Sequence, residues 1–418
     1  MIKWLKFKNF SSYRDECLLD LTVNKKAAHC YFDHELDDGS KVAKVLGVFG
    51  ANGAGKSNLI QPIAFLSWFL TDSFKQLKAD DSIPFSPHFA TEDKNTVIEV
   101  ALISPDKDKP PSQADPDFYY YLEFNQQRVI KEELKSRAKQ AKYLTVFSRT
   151  YEQRNDSYIV KKKGGALPTS IKVLEQAPHN CSLISYVYRI EHKGDDTVGI
   201  DLKNMVSLFG LLLSLNDNNL KSGQVPSNHD MTYATNVFSQ KPEIFNQVKY
   251  LLKKYDLGIT DVIIEQSTVI TGDGREVPRL IPFCLHEHQG KSYRLSMLME
   301  SSGTQSAYRL LASIALRLQY GGACILDEFD YDLHPQLTEE IINLFKDQST
   351  NPANAQLIFT SHSPEILKLL RKQHVYLTEK DDCTSEAWRA DEIEGLRERD
   401  NLYAKYISGA LGGVPSFD

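Results

Sequence analysis

The sequence predicts an α/β fold with a mixed central sheet and flanking helices. Three apolar runs read as buried strands, and each ends in polar residues suited to phosphate or metal chemistry. These are KVLGVF (44–49) before GANGAGKS (50–57), ACIL (323–326) before Asp327-Glu328, and AQLIFT (355–360) before Ser361-His362-Ser363. Ligands of open α/β sheets bind outside the carboxyl ends of the strands. We therefore expect the three polar segments to meet at one edge of the sheet.

The first of these segments matches the P-loop pattern G-x-x-x-x-G-K-[ST], with a strand before it and a helix after it. Its glycines let backbone N–H groups point inward at a phosphate, and the helix adds the partial positive charge of its N-terminus. Lys56 can reach the β- and γ-phosphates, and the Ser57 hydroxyl can ligate Mg²⁺. ATP and Mg²⁺ are thus the predicted cofactors, with nucleotide contacts from Gly50, Asn52, Gly53, Ala54, Gly55, Lys56, Ser57 and Asn58.

Two adjacent carboxylates follow the second strand. Burying such charges is unfavourable unless they are paired or bind a ligand, so a functional role is favoured. Beside a P-loop, Asp327 is predicted to contact Mg²⁺ directly or from the second coordination sphere, and Glu328 to polarise the attacking water. His362 follows the neighbouring strand at the same edge, which favours a catalytic role over a structural one. The predicted catalytic residues are Glu328, His362 and Lys56, and the predicted metal ligands are Ser57 and Asp327.

Composition and charge are those of a soluble protein. The formal net charge of the 418 residues is -6, so any nucleic-acid contact must come from a local basic face. The six cysteines form no C-x-x-C pair, which is more typical of reduced thiols than of a disulfide framework or a zinc site. Apolar runs fall short of the roughly 20 residues of a membrane span. We expect a cytoplasmic protein without membrane contact.

The N-terminal segments are predicted to be β-strands. Apolar and polar residues alternate in IKWLKFKNF (2–10), and further strands are predicted at CLLDLTV, NTVIEVALIS and FYYYLEF. The acidic DHELDDGSK (33–41) is predicted to be a loop, since its spacing does not fit an EF-hand.

A basic segment follows from residue 128 to residue 163, with aromatic residues interleaved. It could form a nucleic-acid face, with cations on phosphates and aromatic rings on bases. A solvated hairpin with KKKGG at its tip is the alternative. The residues concerned are Lys131, Lys135, Arg137, Lys139, Lys142, Arg149, Arg154, Lys161, Lys162 and Lys163, with Tyr143, Phe147, Tyr151 and Tyr158.

A mainly helical insertion is expected from residue 178 to residue 257, because SLFGLLLSL (207–215) and PEIFNQVKYLLKKY (242–255) have helical spacing. His286-Glu287-His288 lacks the H-E-x-x-H spacing of a zinc helix, so an exposed strand or turn is predicted there.

In this order, the segments GANGAGKSN, ESSGT, ILDEFDYDLHP and LIFTSHSPEIL resemble ATP-binding-cassette (ABC) type ATPases of the RecF, SMC and Rad50 branch. They are closer still to bacterial AAA-15 and AAA-21 ATPases of phage-defence operons, including the RloA proteins and the overcoming-lysogenization-defect nucleases. The Gly-rich ending KYISGALGGVPSFD is similar to that of the RloA-like group, although Ala410 stands where those relatives often have Arg.

This resemblance implies a P-loop fold of the ABC-ATPase type, with a mixed central sheet and an antiparallel N-terminal β lobe. It also implies a composite ATP site in a homodimer or larger oligomer. Ser301 and Gly303 of ESSGT would be the signature residues that contact the γ-phosphate from a second copy. Leu333-His334-Pro335 would be the D-loop at the dimer interface. Thr304 replaces the usual Gln or Glu of the signature, and no Q-loop glutamine is assigned.

The resemblance also implies a function. ATP would drive association, and the assembly would act as sensor and regulator of a separately encoded toxic effector, expected to be a nuclease, in antiphage defence. The segment after His362 is too short for the Toprim nuclease domain of the overcoming-lysogenization-defect proteins. The alternatives are a DNA-repair ATPase of the RecF kind and a non-hydrolysing, ATP-bound scaffold. The predicted division is an ATPase part at 1–125, an insertion at 126–285, and a second ATPase part at 286–418.

Overall fold

The computed structural model describes residues 1–36, 38–103, 117–137, 142–163, 169–191, 212–214, 231–255, 258–270 and 276–414. In chain order the strands are β1 Ile2–Lys8, β2 Cys17–Asp20, β3 Thr22–Val23, β4 Asp33–Glu35, β5 Lys41–Ala43, β6 Val45–Gly50, β7 Thr96–Ile103, β8 Asp117–Phe124, β9 Val129–Arg137, β10 Leu144–Glu152, β11 Ser157–Lys162, β12 Leu212–Ser214, β13 Ile259–Ile270, β14 Glu276–His288, β15 Lys291–Ser296, β16 Ala323–Leu326, β17 Gln356–Thr360, β18 Val375–Asp381 and β19 Thr384–Arg389. The α-helices are α1 Lys56–Gln76, α2 Ile171–Leu174, α3 Leu183–Glu191, α4 Met231–Gln240, α5 Pro242–Tyr255, α6 Ser302–Tyr320, α7 Pro335–Asn343 and α8 Leu402–Ile407.

A mixed sheet in the order β12-β16-β17-β6-β18-β19 carries the three predicted strands side by side. Its pairs are parallel except for the last, β18 with β19. Every residue of β6, β16 and β17 is buried, as expected for parallel strands covered on both faces. The carboxyl ends of these three strands therefore open at the same edge, where the polar segments follow.

Helix α1 lies between this sheet and a second, antiparallel one. The second sheet has the order β11-β10-β9-β8-β7-β1-β2 and is the predicted N-terminal β lobe. Alternate residues of β6 face opposite ways: Leu46 and Val48 join the hydrophobic core shared with α1 and the antiparallel sheet. Val45 and Phe49 belong to a second core with α4, α5, α6 and α7. The P-loop strand is thus held from both faces.

Among the described residues of 178–257, helices α3, α4 and α5 agree with the helical prediction, and one short strand does not. Within SLFGLLLSL, residues 212–214 form the edge strand β12 of the P-loop sheet, so the helical prediction is wrong there. A short apolar run can become a buried strand or a buried helix, and periodicity alone does not decide between them. PEIFNQVKYLLKKY is helix α5, as predicted.

The predicted boundaries also cut through continuous structure. The boundary at 125/126 lies in the turn between β8 and β9, which pair along their length, so the basic segment extends the N-terminal sheet. The boundary at 285/286 lies inside β14. DHELDDGSK, predicted to be a loop, contains β4, which pairs with β5. Residue 37 and residues 104–116 and 215–230 lie outside the described residues.

Candidate functional site

The P-loop begins where β6 ends at Gly50 and passes into α1 at Lys56. Gly53 and Gly55 have φ of 77° and 104°, in the left-handed region that favours glycine. A Cβ on Gly50 would overlap Oγ1 of Thr378 and lie 2.6 Å from its carbonyl oxygen. The glycines predicted for phosphate binding are therefore required by the local backbone.

Lys56 is 5% exposed, and its amino group donates to the carbonyl oxygens of Gly50 and Ala51, each at 3.0 Å. Burial lowers the pKa of Lys56, and the nearby carboxylates, with Asp327 the largest contributor, oppose that shift. The ammonium is thus held inside the loop in a partly desolvated position, where a phosphate could replace the carbonyls.

The acidic pair follows β16 directly. Asp327 is 5% exposed, and its Oδ1 accepts hydrogen bonds from Ser57 Oγ at 3.0 Å and from Thr360 Oγ1 at 2.5 Å. The predicted metal ligands Ser57 and Asp327 therefore lie in contact, and both offer the hard oxygen donors that Mg²⁺ prefers. These two residues could hold the ion.

Glu328 has φ of 48°, uncommon for a residue with a Cβ, and its backbone N–H donates to Thr360 Oγ1 at 2.7 Å. Its carboxylate lies 3.8 Å from His362 Nε2, and the other ring nitrogen of His362 lies 3.5 Å from Lys56 Nζ. The structure thus brings together all three predicted catalytic side chains. Both Glu328 and His362 remain nearly half exposed at the sheet edge.

Thr360 connects the two acidic residues and was not among the predicted site residues. As the last residue of β17, it bonds both the carboxylate of Asp327 and the backbone of Glu328. Its position directly before Ser361-His362 is the feature of the sequence that could have identified it as a site residue.

The segments predicted to act from a second copy lie together. Ser301 is the N-cap of α6, with its hydroxyl accepting from the Thr304 N–H at 3.1 Å. A Cβ on Gly303 would lie 2.8 Å from the carbonyl oxygen of Asp332, next to Leu333-His334-Pro335. In the part of the chain that the structure describes, neither Ser301 nor Gly303 is hydrogen-bonded to the P-loop.

Residues from distant parts of the chain line one side of the P-loop. Asn58, predicted to contact nucleotide, donates to Ser12 Oγ at 2.8 Å, and Ser385 Oγ donates to the same oxygen at 2.8 Å. A Cβ on Gly55 would lie 2.7 Å from the Cβ of Ser385. Asn58 therefore anchors the β1–β2 turn to α1 in this structure.

The Gly-rich C-terminal segment lies against the P-loop strand. The hydroxyl of Tyr406 donates to the carbonyl of Gly413 at 3.2 Å, and a Cβ on Gly413 would lie 3.8 Å from the Cα of Gly50. Gly412 has φ of 75°, and a Cβ there would lie 2.9 Å from the Trp388 ring. This segment therefore supports the backbone at Gly50.

Gly412→Ala is expected to weaken both the fold and nucleotide binding. Left-handed strain costs about 1–2 kcal/mol for a residue with a Cβ, and contact with Trp388 adds to it. Urea unfolding and ATP titration measure the two effects. Gly395→Ala is the control, because Gly395 has φ of 77° but its Cβ would meet nothing within 4 Å. Equal losses in the two variants would contradict support of the P-loop by this segment.

Three cations of the basic segment are held by partners within this chain. Arg149 is fully buried and donates to the carbonyls of Ala177, Pro178 and Cys181. Arg137 pairs with Asp117, and Lys135 with Glu133. These contacts favour the hairpin interpretation over the nucleic-acid interpretation for these three cations. Lys139 and the tip residues Gly164 and Gly165 lie outside the described residues.

His286-Glu287-His288 ends strand β14, and Glu287 and His288 are exposed. His286 Nε2 lies 2.7 Å from Glu300 Oε1, a contact that fastens β14 to the segment before Ser301.

The described helices were compared with the length and hydrophobicity that a membrane span requires, and none of them meets both.

Comparison with known protein families gives a match over most of the chain. Residues 45–368 match the AAA-21 family model, described as "AAA domain, putative AbiEii toxin, Type IV TA system". No curated protein matches the chain significantly.

Among solved structures, the chain is similar to heads of SMC proteins. An SMC head bound to the C-winged helix domain of ScpA has 11% identity and a TM-score of 0.45, covering 93% of this chain and 96% of that one. The SMC head domain from Thermotoga maritima has 14% identity and a TM-score of 0.38, covering 93% and 98%. The Smc head with coiled coil and joint from Pyrococcus yayanosii has 11% identity and a TM-score of 0.43, covering 98% and 99%.

The family model spans the P-loop, Asp327-Glu328 and His362, which are the segments that the resemblance rested on. The predicted family and the predicted P-loop α/β fold class are both confirmed. This chain belongs to the AAA-21 family of AAA-type ATPase domains.

Proposed function

We propose that the chain binds ATP with Mg²⁺ at the P-loop edge of its central sheet and hydrolyses it. The observation that carries this proposal is the hydrogen-bond chain from Ser57 through Asp327 and Thr360 to the backbone of Glu328. This chain of bonds holds the Ser57 hydroxyl against the Asp327 carboxylate and fixes the backbone of Glu328. It supports a role for Ser57 and Asp327 as metal ligands and for Glu328 as the base. Preorganised polar groups of this kind supply most of the rate enhancement in phosphoryl transfer.

The P-loop side of the site would hold the phosphates. Lys56 would donate to phosphate oxygens in place of the carbonyls of Gly50 and Ala51, to which it now donates. Ser57 and Asp327 would hold Mg²⁺, directly or through water. The bound ion would neutralise charge on the β- and γ-phosphates.

Glu328 would accept a hydrogen bond from the attacking water. Its carboxylate is nearly half exposed, so water reaches it from the open edge. His362 lies 3.8 Å from that carboxylate and 3.5 Å from Lys56 Nζ, between the base and the phosphate-binding lysine. It would orient Glu328 and contact the γ-phosphate.

A second copy of the chain would complete the site with Ser301 and Gly303. The surface next to Ser301 supports this association, because Leu298, Met299 and Tyr331 are 63%, 72% and 72% exposed. Large apolar side chains so exposed near a polar segment are typical of protein interaction sites. ATP contacted by both copies would supply the differential affinity that closes the dimer.

Ser301→Asp tests the composite site. Aspartate caps a helix as well as serine does, so α6 should be retained. Its carboxylate would face the γ-phosphate of the second copy, so we expect loss of the ATP-dependent dimer in native mass measurements, with ATP binding to the monomer preserved. Ser301→Asn is the control, since it caps equally well without a charge. An ATP-dependent dimer of undiminished stability in Ser301→Asp would refute the role of Ser301.

We further propose that ATP-dependent association regulates a separately encoded toxic effector, of which a nuclease is the expected class. The family description, which names a toxin and a type IV toxin–antitoxin system, supports this role. Co-expression of the chain with the product of its neighbouring gene tests it, with growth arrest and co-purification as readouts. Absence of both contradicts the effector role, and DNA-stimulated hydrolysis that falls steeply with salt favours the DNA-repair alternative.

A further inference from the structure

Three side chains with metal-binding atoms meet at the end of the P-loop sheet away from the nucleotide. Among the residues that the structure describes, Cys30 Sγ, a carboxylate oxygen of Asp33 and a ring nitrogen of His374 all lie within 4.8 Å of one another. Asp33 begins β4, and His374 directly precedes β18. The two parts of the cluster are therefore far apart in the chain and are joined only by the fold.

The cluster is buried and holds a polar atom without a partner. Cys30 is 8% exposed, and the side chains of His374 and Asp33 are 0% and 5% exposed. Asp33 Oδ1 lies 2.7 Å from His374 Nε2. Asp33 Oδ2 has no hydrogen-bond partner among the described residues. A buried carboxylate oxygen left in this way is destabilising, because it has lost its hydration without gaining another partner.

The donor set selects the kind of cation. One sulfur, one imidazole nitrogen and one carboxylate oxygen suit zinc and its neighbours, whereas Mg²⁺ and Ca²⁺ prefer oxygen donors throughout. Zinc binds such ligands at about 2.0–2.3 Å in a tetrahedral arrangement, and three protein ligands with one water is a common set. Ligand atoms in such an arrangement lie about 3.3–3.7 Å from one another. Atoms that already lie within 4.8 Å would therefore shift by about 1 Å, with the 2.7 Å contact between Asp33 and His374 opening to admit the ion.

We propose that Cys30, Asp33 and His374 bind one zinc-class divalent cation. The cation would replace the proton between His374 and Asp33, and would give Asp33 Oδ2 the partner that it lacks. The remaining imidazole proton would move to Nδ1, at the expense of the long 3.4 Å contact from the Arg371 N–H.

The site would fasten the segment around β4 to the start of β18. Val375, the residue after His374, pairs with Gly47, and Thr378 pairs with Gly50 at the P-loop. A cation at His374 would therefore hold the start of β18, and the residues of β18 further along support the P-loop backbone. The role is structural, and it does not depend on the ATPase activity proposed above.

Titration with Co²⁺, without nucleotide, tests the site on the full chain purified free of metal. We expect one Co²⁺ per chain, with the thiolate-to-cobalt charge-transfer absorption that oxygen ligands at the P-loop do not produce. Zn²⁺ should displace Co²⁺ and abolish the absorption. Wild-type protein without a saturable charge-transfer band at one equivalent overturns the proposal, whatever the variants do.

Cys30→Ser identifies the thiolate. It should lose the charge-transfer band and bind Zn²⁺ at least about 100-fold more weakly, since even the loss of an outer-shell partner costs 10–100-fold. Cys383→Ser, which alters an exposed cysteine, should keep both properties. Asp33→Asn provides a second variant if Cys30→Ser does not fold, and it should weaken Zn²⁺ while retaining the thiolate band at high Co²⁺. A band that persists in Cys30→Ser contradicts the assignment.

Discussion

Glu328→Gln is expected to reduce ATP turnover by about 10²–10⁴-fold, the usual contribution of a positioned general base. The amide keeps the size and shape of the side chain, and the backbone N–H bond to Thr360 is unaffected. What is lost is the ability to accept the proton of the attacking water. ATP binding should be preserved, because Lys56, Ser57 and Asp327 are unchanged.

The variant should therefore accumulate as an ATP-bound dimer or larger species. Phosphate release and native mass with ATP measure the two effects on one sample. Glu175→Gln, at an exposed position directly after helix α2, is the matched control and should behave as wild type. Wild-type turnover in Glu328→Gln would mean that another group orients the water, or that the chain is a scaffold that uses ATP only for assembly.

The nucleotide site was predictable because each of its parts is local in sequence. Asp327 directly follows one buried strand and His362 follows the next, so the sheet itself brings them to the P-loop. Parallel strands that are buried on both faces are continuous apolar runs, which makes them easy to find. The spacing within GANGAGKS likewise fixes the positions of Lys56 and Ser57 at the start of α1.

What the sequence could not reveal depends on contacts between distant segments. Ser385 reaches the P-loop only because β19 lies at the sheet edge beside the β1–β2 turn, and His374 meets Asp33 across almost the whole chain. Arg149 lies in a segment whose charge indicates solvent exposure. It is buried nonetheless, because three backbone carbonyls accept hydrogen bonds from its two terminal nitrogens, and the guanidinium carbon lies 3.9 Å from the centroid of the Tyr158 ring. Only the tertiary fold supplies those acceptors.

Lys56→Ala is expected to weaken ATP binding by about 10–150-fold, and to abolish measurable turnover with it. A hydrogen bond to a charged group contributes about 1.5–3 kcal/mol, and each 1.4 kcal/mol is tenfold in affinity. Titration with a fluorescent ATP analogue measures the affinity directly. Lys75→Ala is the matched control, since Lys75 is exposed at the far end of the same helix and should leave the affinity unchanged.

Loss of binding must be separated from loss of the fold. Burial lowers the pKa of Lys56, so keeping this side chain charged lowers the stability of the nucleotide-free chain. Its two hydrogen bonds to the carbonyls of Gly50 and Ala51 offset that cost. The free energy of unfolding of Lys56→Ala without ATP should therefore remain within about 1 kcal/mol of wild type. A folded variant that binds ATP as tightly as wild type would show that the lysine is not a phosphate ligand, and that the loop binds through its backbone alone.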